Sequence, residues 1–173
     1  MKCILGFLLL GCLTSAGLAQ SSTPRTSEAI TEVTLEMSPG SSSTARDFKI
    51  VLRNDGTASY EGRANVKLLG KFQGPFPMED FAKLEKFINE HHFGELKVFA
   101  SASATVSFSA LDSFSISAPT IRTTIVQAKK QTRIDRPVGV KINNPKPPPK
   151  DLLDIENAIT TAATHIKWDK VKK

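Results

Sequence analysis

Four short runs of alternating residues constrain the fold of this chain more than any other feature. The residues that recur at every second position are Val33, Leu35 and Met37; Phe48, Ile50 and Leu52; Ala58 and Tyr60; and Val66, Leu68, Gly70 and Phe72. A period of two sends successive side chains to opposite faces of a β-strand, so each run predicts a half-buried strand. Asn54-Asp55-Gly56 and Gly62-Arg63-Ala64-Asn65 separate the last three runs and predict tight turns. The runs together predict an antiparallel β-meander that begins near Ile30.

Two later segments change from a period of two to a helical period. The first predicted helix covers Met78 to Phe93, with Gly94 as its C-terminal cap. Its apolar face carries Phe81, Leu84, Phe87 and Ile88. The second predicted helix covers Asp151 to Trp168, and we expect Trp168 to close the core. Its apolar stripe consists of Leu152, Ile155, Ile159, Ala162 and Ile166.

The segment between the two helices contains further strand-like sequence. Residues 98–118 alternate small apolar residues with serine and threonine, which fits either a β-hairpin or a mobile loop. Pro119 to Val126 is rich in β-branched residues and can pair with Gln131 to Asp135 across Lys129-Lys130. The whole pattern predicts an α+β domain, an antiparallel β-meander with two helices packed on one face, in two layers.

The N-terminus has the pattern of a secretory signal peptide. Lys2 precedes an apolar run from Cys3 to Leu13, and Gly17-Leu18-Ala19 offers small residues to a signal peptidase. The run is too short to span a bilayer stably. We therefore expect a signal peptide over 1–19, a flexible leader over 20–29 and a single domain over 30–173. The mature chain then has no transmembrane segment and is periplasmic or secreted.

The position of the cysteines narrows the chemistry further. The chain has two, Cys3 and Cys12, and both lie inside the predicted signal peptide. Cleavage after Ala19 therefore leaves a mature chain without disulfides, thiolate metal sites or cysteine nucleophiles. Leu9-Leu10-Gly11-Cys12 also resembles a bacterial lipobox, so lipid anchoring through Cys12 stays open as an alternative.

Sequence motifs for common enzymatic chemistry are absent. The chain has no Gly-x-Ser-x-Gly elbow, no Walker motif and no G-x-G-x-x-G loop. His91, His92 and His165 are its three histidines, and neighbouring side chains on a helix point about 100° apart. This arrangement favours a charged helix end and a partner-helix residue over a metal cluster. From the sequence we assign no catalytic, cofactor-binding or metal-binding residue, and we expect no cofactor.

The chain is basic, with 23 lysine and arginine residues, 17 acidic residues and a formal net charge of +6. Many of the cations fall in the second half: Lys129, Lys130, Arg133, Arg136, Lys141, Lys146, Lys150, Lys167, Lys170, Lys172 and Lys173. Tyr60 and Trp168 are the single tyrosine and tryptophan, too few for an aromatic platform, so we expect no nucleic-acid partner. An exported basic protein meets anionic lipids and envelope polymers, although a solvated surface explains the same excess.

A spaced series of residues resembles a known family. The series is Asn54-Asp55-Gly56, Tyr60-Glu61-Gly62, Val66, Gly70 and Gly74, followed by a helix ending in Phe93, then residues 119–125 (PTIRTTI), then a helix closing on Trp168. Over about Ile30 to Trp168 the chain resembles an uncharacterised bacterial domain-of-unknown-function family of exported proteins and lipoproteins. That family often has two cysteines before its second strand, whereas Ser38 to Phe48 holds none here. The resemblance implies the fold and implies no activity.

Three functional hypotheses follow from the sequence. The first is an exported, non-enzymatic binding module whose contact lies in residues 98–118 or in the basic second half. Its partner is an envelope protein or an anionic polymer or lipid surface. The second is a small envelope hydrolase or metal-binding protein that uses His91, His92 or His165. The third is a lipid-anchored envelope assembly factor. The missing catalytic motifs favour a protein that is not an enzyme.

Overall fold

The computed structural model of the protein describes residues 29–96, 103–108, 112–128, 130–138 and 147–172. Its strands are β1 (Ile30–Ser38), β2 (Asp47–Arg53), β3 (Thr57–Ala64), β4 (Gly70–Pro75), β5 (Ser103–Phe108), β6 (Asp112–Ser117), β7 (Thr120–Gln127), β8 (Lys130–Pro137) and β9 (Asp169–Lys170). Its helices are α1 (Met78–Glu90) and α2 (Lys150–Thr164), with a short 3-10 helix at Phe93–Glu95. The predicted signal peptide, and all of the predicted leader except Ala29, lie outside the described residues.

Seven strands form one antiparallel sheet in the order β8-β7-β1-β2-β3-β4-β9. The predicted meander is confirmed, because β1 to β4 are consecutive neighbours in this order. The predicted pairing between the two later strands is confirmed as well, since β7 and β8 form a hairpin. β7 returns to pair with β1, and this places β8 and β9 at opposite edges of the sheet.

The core lies between one face of the sheet and the two helices. Register places Val33 opposite both Leu52 and Ile125, so these residues share one face. They belong to one buried cluster with residues from both helices, including Phe81 and Ile155. The predicted α+β class, with helices on one sheet face, is therefore confirmed. Neither described helix has the length and apolar character that crossing a membrane requires.

The turn predicted over 62–65 was wrong in its position. β3 continues to Ala64, and Asn65 begins the turn with a left-handed φ of 54°. The Asn65 side-chain amide donates to the carbonyls of Ser43 and Ala45, both at 2.8 Å. Gly62 stays inside the strand because the next connection folds over it: a Cβ there would lie 1.8 Å from the Leu68 carbonyl oxygen. The fourth strand consequently begins at Gly70 rather than near Val66.

Both helices are shorter than the sequence pattern predicts. α1 ends at Glu90 instead of Phe93, because His92 takes a left-handed φ of 47° and turns Phe93 back into the core. Gly94 therefore lies in the 3-10 helix and does not cap α1. α2 ends at Thr164, and the chain continues through buried Ile166 to half-buried Trp168.

The serine-rich segment contains a hairpin in the part that the structure describes. β5 and β6 pair antiparallel as a separate two-stranded sheet, with Val106 opposite Phe114. Of the two alternatives that the sequence left open, the described backbone is that of a hairpin.

Candidate functional site

Six charged residues of alternating sign stand side by side on the sheet face opposite the helices. Each is the direct cross-strand neighbour of the next, which makes them one row across six strands. From β8 to β4 the row consists of Asp135, Arg122, Glu36, Lys49, Glu61 and Lys71. Opposite charges directly across a strand pair are stabilising, so the row supports the sheet. We call it the charge ladder.

Arginine side chains bind the acidic members of the charge ladder closely. Arg63 donates to Glu36 at 2.6 Å and to Asp47 at 3.0 Å, and Arg122 donates to Glu36 at 3.3 Å and to Asp135 at 3.1 Å. Burial raises the pKa of Glu36, but the hydrogen bond from Arg63 and the charges of Arg63 and Arg122 bring it below its usual value. Arginine side chains therefore neutralise Glu36 and Asp135 at this end of the ladder, and we assign these residues a structural role.

The other end of the ladder opens into a groove at the β4 edge. β9 pairs with β4, and the Val171 N–H then donates to the Lys71 carbonyl at 2.9 Å. The groove measures about 830 Å³ and is lined by Glu61, Gly62, Gly70, Lys71, Lys170, Val171 and Lys172. A smaller groove of about 270 Å³ on the open sheet face shares Glu61, Lys71 and Val171 with it. The two grooves therefore form one continuous depression.

Cations outnumber acids along this depression. Among the described residues, Glu61 is the one acid that lines it, and the Glu61 carboxylate already lies 3.7 Å from the Lys71 amine. Lys49, Lys170 and Lys172 have no carboxylate within 4.0 Å in the described parts of the chain. These amines are free to meet an anion.

Exposed hydrophobic side chains flank the same groove. Among the described residues, four large hydrophobic side chains are exposed, and three of them lie here: Leu68 (39%), Leu69 (58%) and Val171 (42%). Leu68 and Leu69 belong to the connection before Gly70, and Lys67 and Lys71 stand on either side of them in sequence. We name residues 67–69, Lys71 and residues 170–172 the β4-edge patch. The β4-edge patch therefore combines solvent-exposed leucines with lysines.

Close backbone packing holds the β4-edge patch in place. A Cβ on Gly74 would lie 2.5 Å from the Lys167 carbonyl oxygen and 2.6 Å from Ile166 Cγ2, so the chain after α2 rests directly on β4. Tyr60 of β3 lies against Trp168, with ring centroids 5.7 Å apart. The Tyr60-Glu61-Gly62 and Gly74 motif residues therefore position this edge, and their spacing has a structural origin.

The basic second half does not form one surface. Lys130 and Arg133 lie on β8 at one edge of the sheet, and Lys170 and Lys172 lie at the other. Arg136 is half-buried against α2, where it forms an ion pair with Glu156, and Arg133 forms an ion pair with Asp135. Lys129, Lys141, Lys146 and Lys173 lie outside the described residues. Only the C-terminal lysines join the β4-edge patch.

His165 lies at the opposite end of α2 from His91 and His92. His91 follows α1 as its C-cap, His92 is the next residue, and His165 is the exposed C-cap of α2. Among the described residues His91 instead meets Asp151 and Asp154 at the start of α2. One ring nitrogen and one oxygen from each carboxylate lie within 4.8 Å of one another. Neither aspartate was predicted from the sequence as a ligand, although their spacing of three residues places them on one helix face.

Comparison with known proteins identifies the family and no activity. The model of DUF6438, a domain of unknown function, matches residues 32–163. No curated protein and no solved structure matches the chain. The match covers most of the chain, so the protein belongs to the DUF6438 family, and the resemblance to a domain-of-unknown-function family is confirmed at that level.

Proposed function

We propose that this protein is an exported, non-enzymatic binding module that docks on an anionic lipid surface through the β4-edge patch. Export is part of the proposal and rests on the signal-peptide pattern of residues 1–19. Acylation at Cys12 is the alternative route, and it would add a lipid anchor to the same docking surface.

The observation that carries the proposal is the mixture of bare hydrophobic and cationic side chains at one edge of the sheet. Leu68, Leu69 and Val171 are exposed beside lysines that, within the described residues, pair with no acid apart from the Lys71–Glu61 contact. Leucine side chains gain free energy when they enter the boundary between headgroups and acyl chains. Lysines near an anionic leaflet contribute about 1 kcal/mol each. The patch offers both contributions at the same place.

A lipid surface fits the patch better than the other partners considered. A soluble anionic polymer would use the lysines but would leave Leu68 and Leu69 exposed to water. An envelope protein would cover the leucines only if its own surface carried a matching apolar and acidic site. Among the described lining residues, lysines outnumber the one acid, Glu61, and such an excess suits a membrane surface that is negatively charged throughout.

Vesicle co-sedimentation tests the proposal. We expect the protein to bind vesicles containing phosphatidylglycerol and to bind phosphatidylcholine vesicles at least tenfold more weakly. The double variant Lys71→Glu/Lys170→Glu should lose at least tenfold in affinity, because two attractions become repulsions. Leu69→Ser should weaken binding severalfold without changing the response to salt.

Matched controls come from positions outside the β4-edge patch. Lys130→Glu reverses one lysine charge at the opposite edge of the sheet, which matches either half of the double variant, and Met78→Ser removes an exposed hydrophobic side chain outside the patch. Both should bind like the wild type. Equal binding to the two vesicle types, or equal losses in patch and control variants, would overturn the proposal. Tight binding to a soluble polyanion with no effect of Leu69→Ser would identify a polymer-binding surface instead.

A further inference from the structure

We propose that His91, Asp151 and Asp154 form a binding site for a divalent transition-metal ion of the zinc type. The site is separate from the β4-edge patch, since it joins the end of α1 to the start of α2. The three possible ligand atoms, one nitrogen and two carboxylate oxygens, lie within 4.8 Å of one another. Small side-chain rotations bring such a set to the distances of about 2.0–2.2 Å that zinc requires.

The imidazole ring of His91 is oriented by a hydrogen bond and by a ring contact. Its Nδ1 lies 2.9 Å from the Phe87 carbonyl oxygen. A carbonyl can only accept, so Nδ1 carries a proton and donates it, which leaves Nε2 as the ring nitrogen available to bind a metal ion. The ring also packs against Phe87, with centroids 4.0 Å apart, which restricts its rotation. Metal-binding histidines commonly donate their second N–H to a backbone carbonyl in this way.

The two aspartates supply the charge that a divalent ion neutralises. Asp151 lies in the first turn of α2, and Asp154 follows three residues later on the same helix face. Two carboxylates carry a charge of −2, equal and opposite to that of a divalent ion. Imidazole nitrogen favours zinc and its neighbours over Mg²⁺ and Ca²⁺, which prefer oxygen ligands throughout.

The amine of Lys150 forms an ion pair with one of the proposed ligands, Asp154. Its amine donates to Asp154 Oδ2 at 2.9 Å, and this hydrogen bond, followed by the charges of Asp154 and Asp151, raises the pKa of Lys150. The lysine side chain is 88% exposed, so it can leave without disturbing the core. An exposed pair of this kind is weak, and a divalent ion at the same carboxylate displaces it. Lys150 is therefore a competitor for the site rather than a part of it.

Calorimetric titration and thermal unfolding with ZnCl₂ test the site. We expect one zinc ion per chain and a rise in Tm of about 5–10 °C at a zinc concentration of about 100 Kd. His91→Ala and the isosteric Asp154→Asn should each weaken binding at least tenfold. Lys150→Gln should strengthen it about two- to fivefold, because the competing cation is gone. MgCl₂ at the same concentration should leave Tm unchanged.

His165→Ala is the matched control, since His165 is also a helix-capping histidine but lies outside the cluster. It should bind zinc like the wild type. If His91→Ala unfolds, the Asp154→Asn and Lys150→Gln variants still decide the question, because they leave the His91–Phe87 packing intact. Unchanged Tm with zinc, equal affinity in Asp154→Asn, or loss of binding in His165→Ala would each overturn the proposal.

Discussion

Tyr60 and Trp168, the single tyrosine and the single tryptophan of the chain, pack against each other with ring centroids 5.7 Å apart. Tyr60 also lies beside Phe48 of β2 at 6.3 Å and Phe72 of β4 at 6.1 Å. Trp168 follows α2, so this aromatic cluster joins the end of the chain to the meander near its beginning. The contact fixes the C-terminal segment that supplies half of the β4-edge patch.

Replacing Trp168 by alanine should lower the free energy of unfolding by about 2–3 kcal/mol. The loss is below the upper range for a tryptophan because the side chain is half-buried rather than fully buried. Urea unfolding followed by far-UV circular dichroism measures the change without relying on the lost fluorophore. Met78→Ala, at a side chain that is 67% exposed, should stay within about 0.5 kcal/mol of the wild type. Wild-type stability in Trp168→Ala would show that the aromatic cluster does not hold the C-terminal segment.

Gly74→Ala should displace the chain after α2 from the sheet. The added Cβ would lie 2.5 Å from the Lys167 carbonyl oxygen, and a backbone atom cannot move aside as a flexible side chain can. We expect a loss of about 1–3 kcal/mol and faster amide hydrogen exchange at residues 166–171. Gly94→Ala is the matched control, because a Cβ at Gly94 has no atom of the described residues within 4 Å. A Gly74→Ala variant with the exchange pattern of the Gly94→Ala variant would contradict the close packing described here.

The strands of the meander could be predicted from the sequence because alternation is a local property. Val33 and Leu35 can be predicted as core residues without knowledge of their partner strands, and both are buried in the structure. The turn was predicted in the wrong place because of Gly62. This residue is a glycine because a side chain would clash with the Leu68 carbonyl, and the sequence alone does not distinguish it from a glycine in a turn. The contact that explains it forms only after the next connection has folded back.

The candidate site could not be predicted because it depends on strand order and helix placement. The cations of the second half seemed to form one cluster, but β7 pairs with β1, which separates Lys130 from Lys170 by the whole width of the sheet. His91 could be identified as a possible ligand from its type alone. Its neighbours Asp151 and Asp154 belong to another helix, and no local pattern brings them to it.

Glu36→Gln should destabilise the protein at neutral pH and make its stability less dependent on acid. Arg63 and Arg122 both donate to this carboxylate, and its loss leaves the two cations with a weaker acceptor. We expect the free energy of unfolding to fall by about 1–3 kcal/mol. The arginines lower the pKa of Glu36 in the folded state, against the opposing effect of burial. A group with a lowered folded pKa stabilises the protein above its unfolded pKa, and this contribution disappears as the pH falls through the folded pKa.

Urea unfolding of the wild type and Glu36→Gln at several pH values checks this expectation. The wild type should lose stability as the pH falls below about 4.5, whereas the variant should lose less over the same interval. The hydrogen bond from Arg133 lowers the pKa of Asp135, burial opposes this effect, and Arg122 lowers the pKa further. Asp135 is unchanged in the variant, so part of the acid response remains. Glu90→Gln, in an exposed pair with Lys86, serves as the control and should follow the wild-type profile. Parallel profiles for the wild type and Glu36→Gln would remove Glu36 from the acid response.

Glu156→Ala should be among the most damaging single substitutions outside the hydrophobic core. Its carboxylate accepts from Arg136 Nε at 3.2 Å and from Arg136 Nη2, and the two side chains are only 7% and 15% exposed. Removing the carboxylate leaves a guanidinium between β8 and α2 without a counter-charge, which costs about 3–5 kcal/mol. The double variant Arg136→Met/Glu156→Leu should recover most of that loss, because it removes both charges and keeps apolar volume. Urea unfolding of the two single variants and the double variant measures the coupling, and a double variant as unstable as Glu156→Ala would show that the loss comes from packing rather than from the unpaired cation.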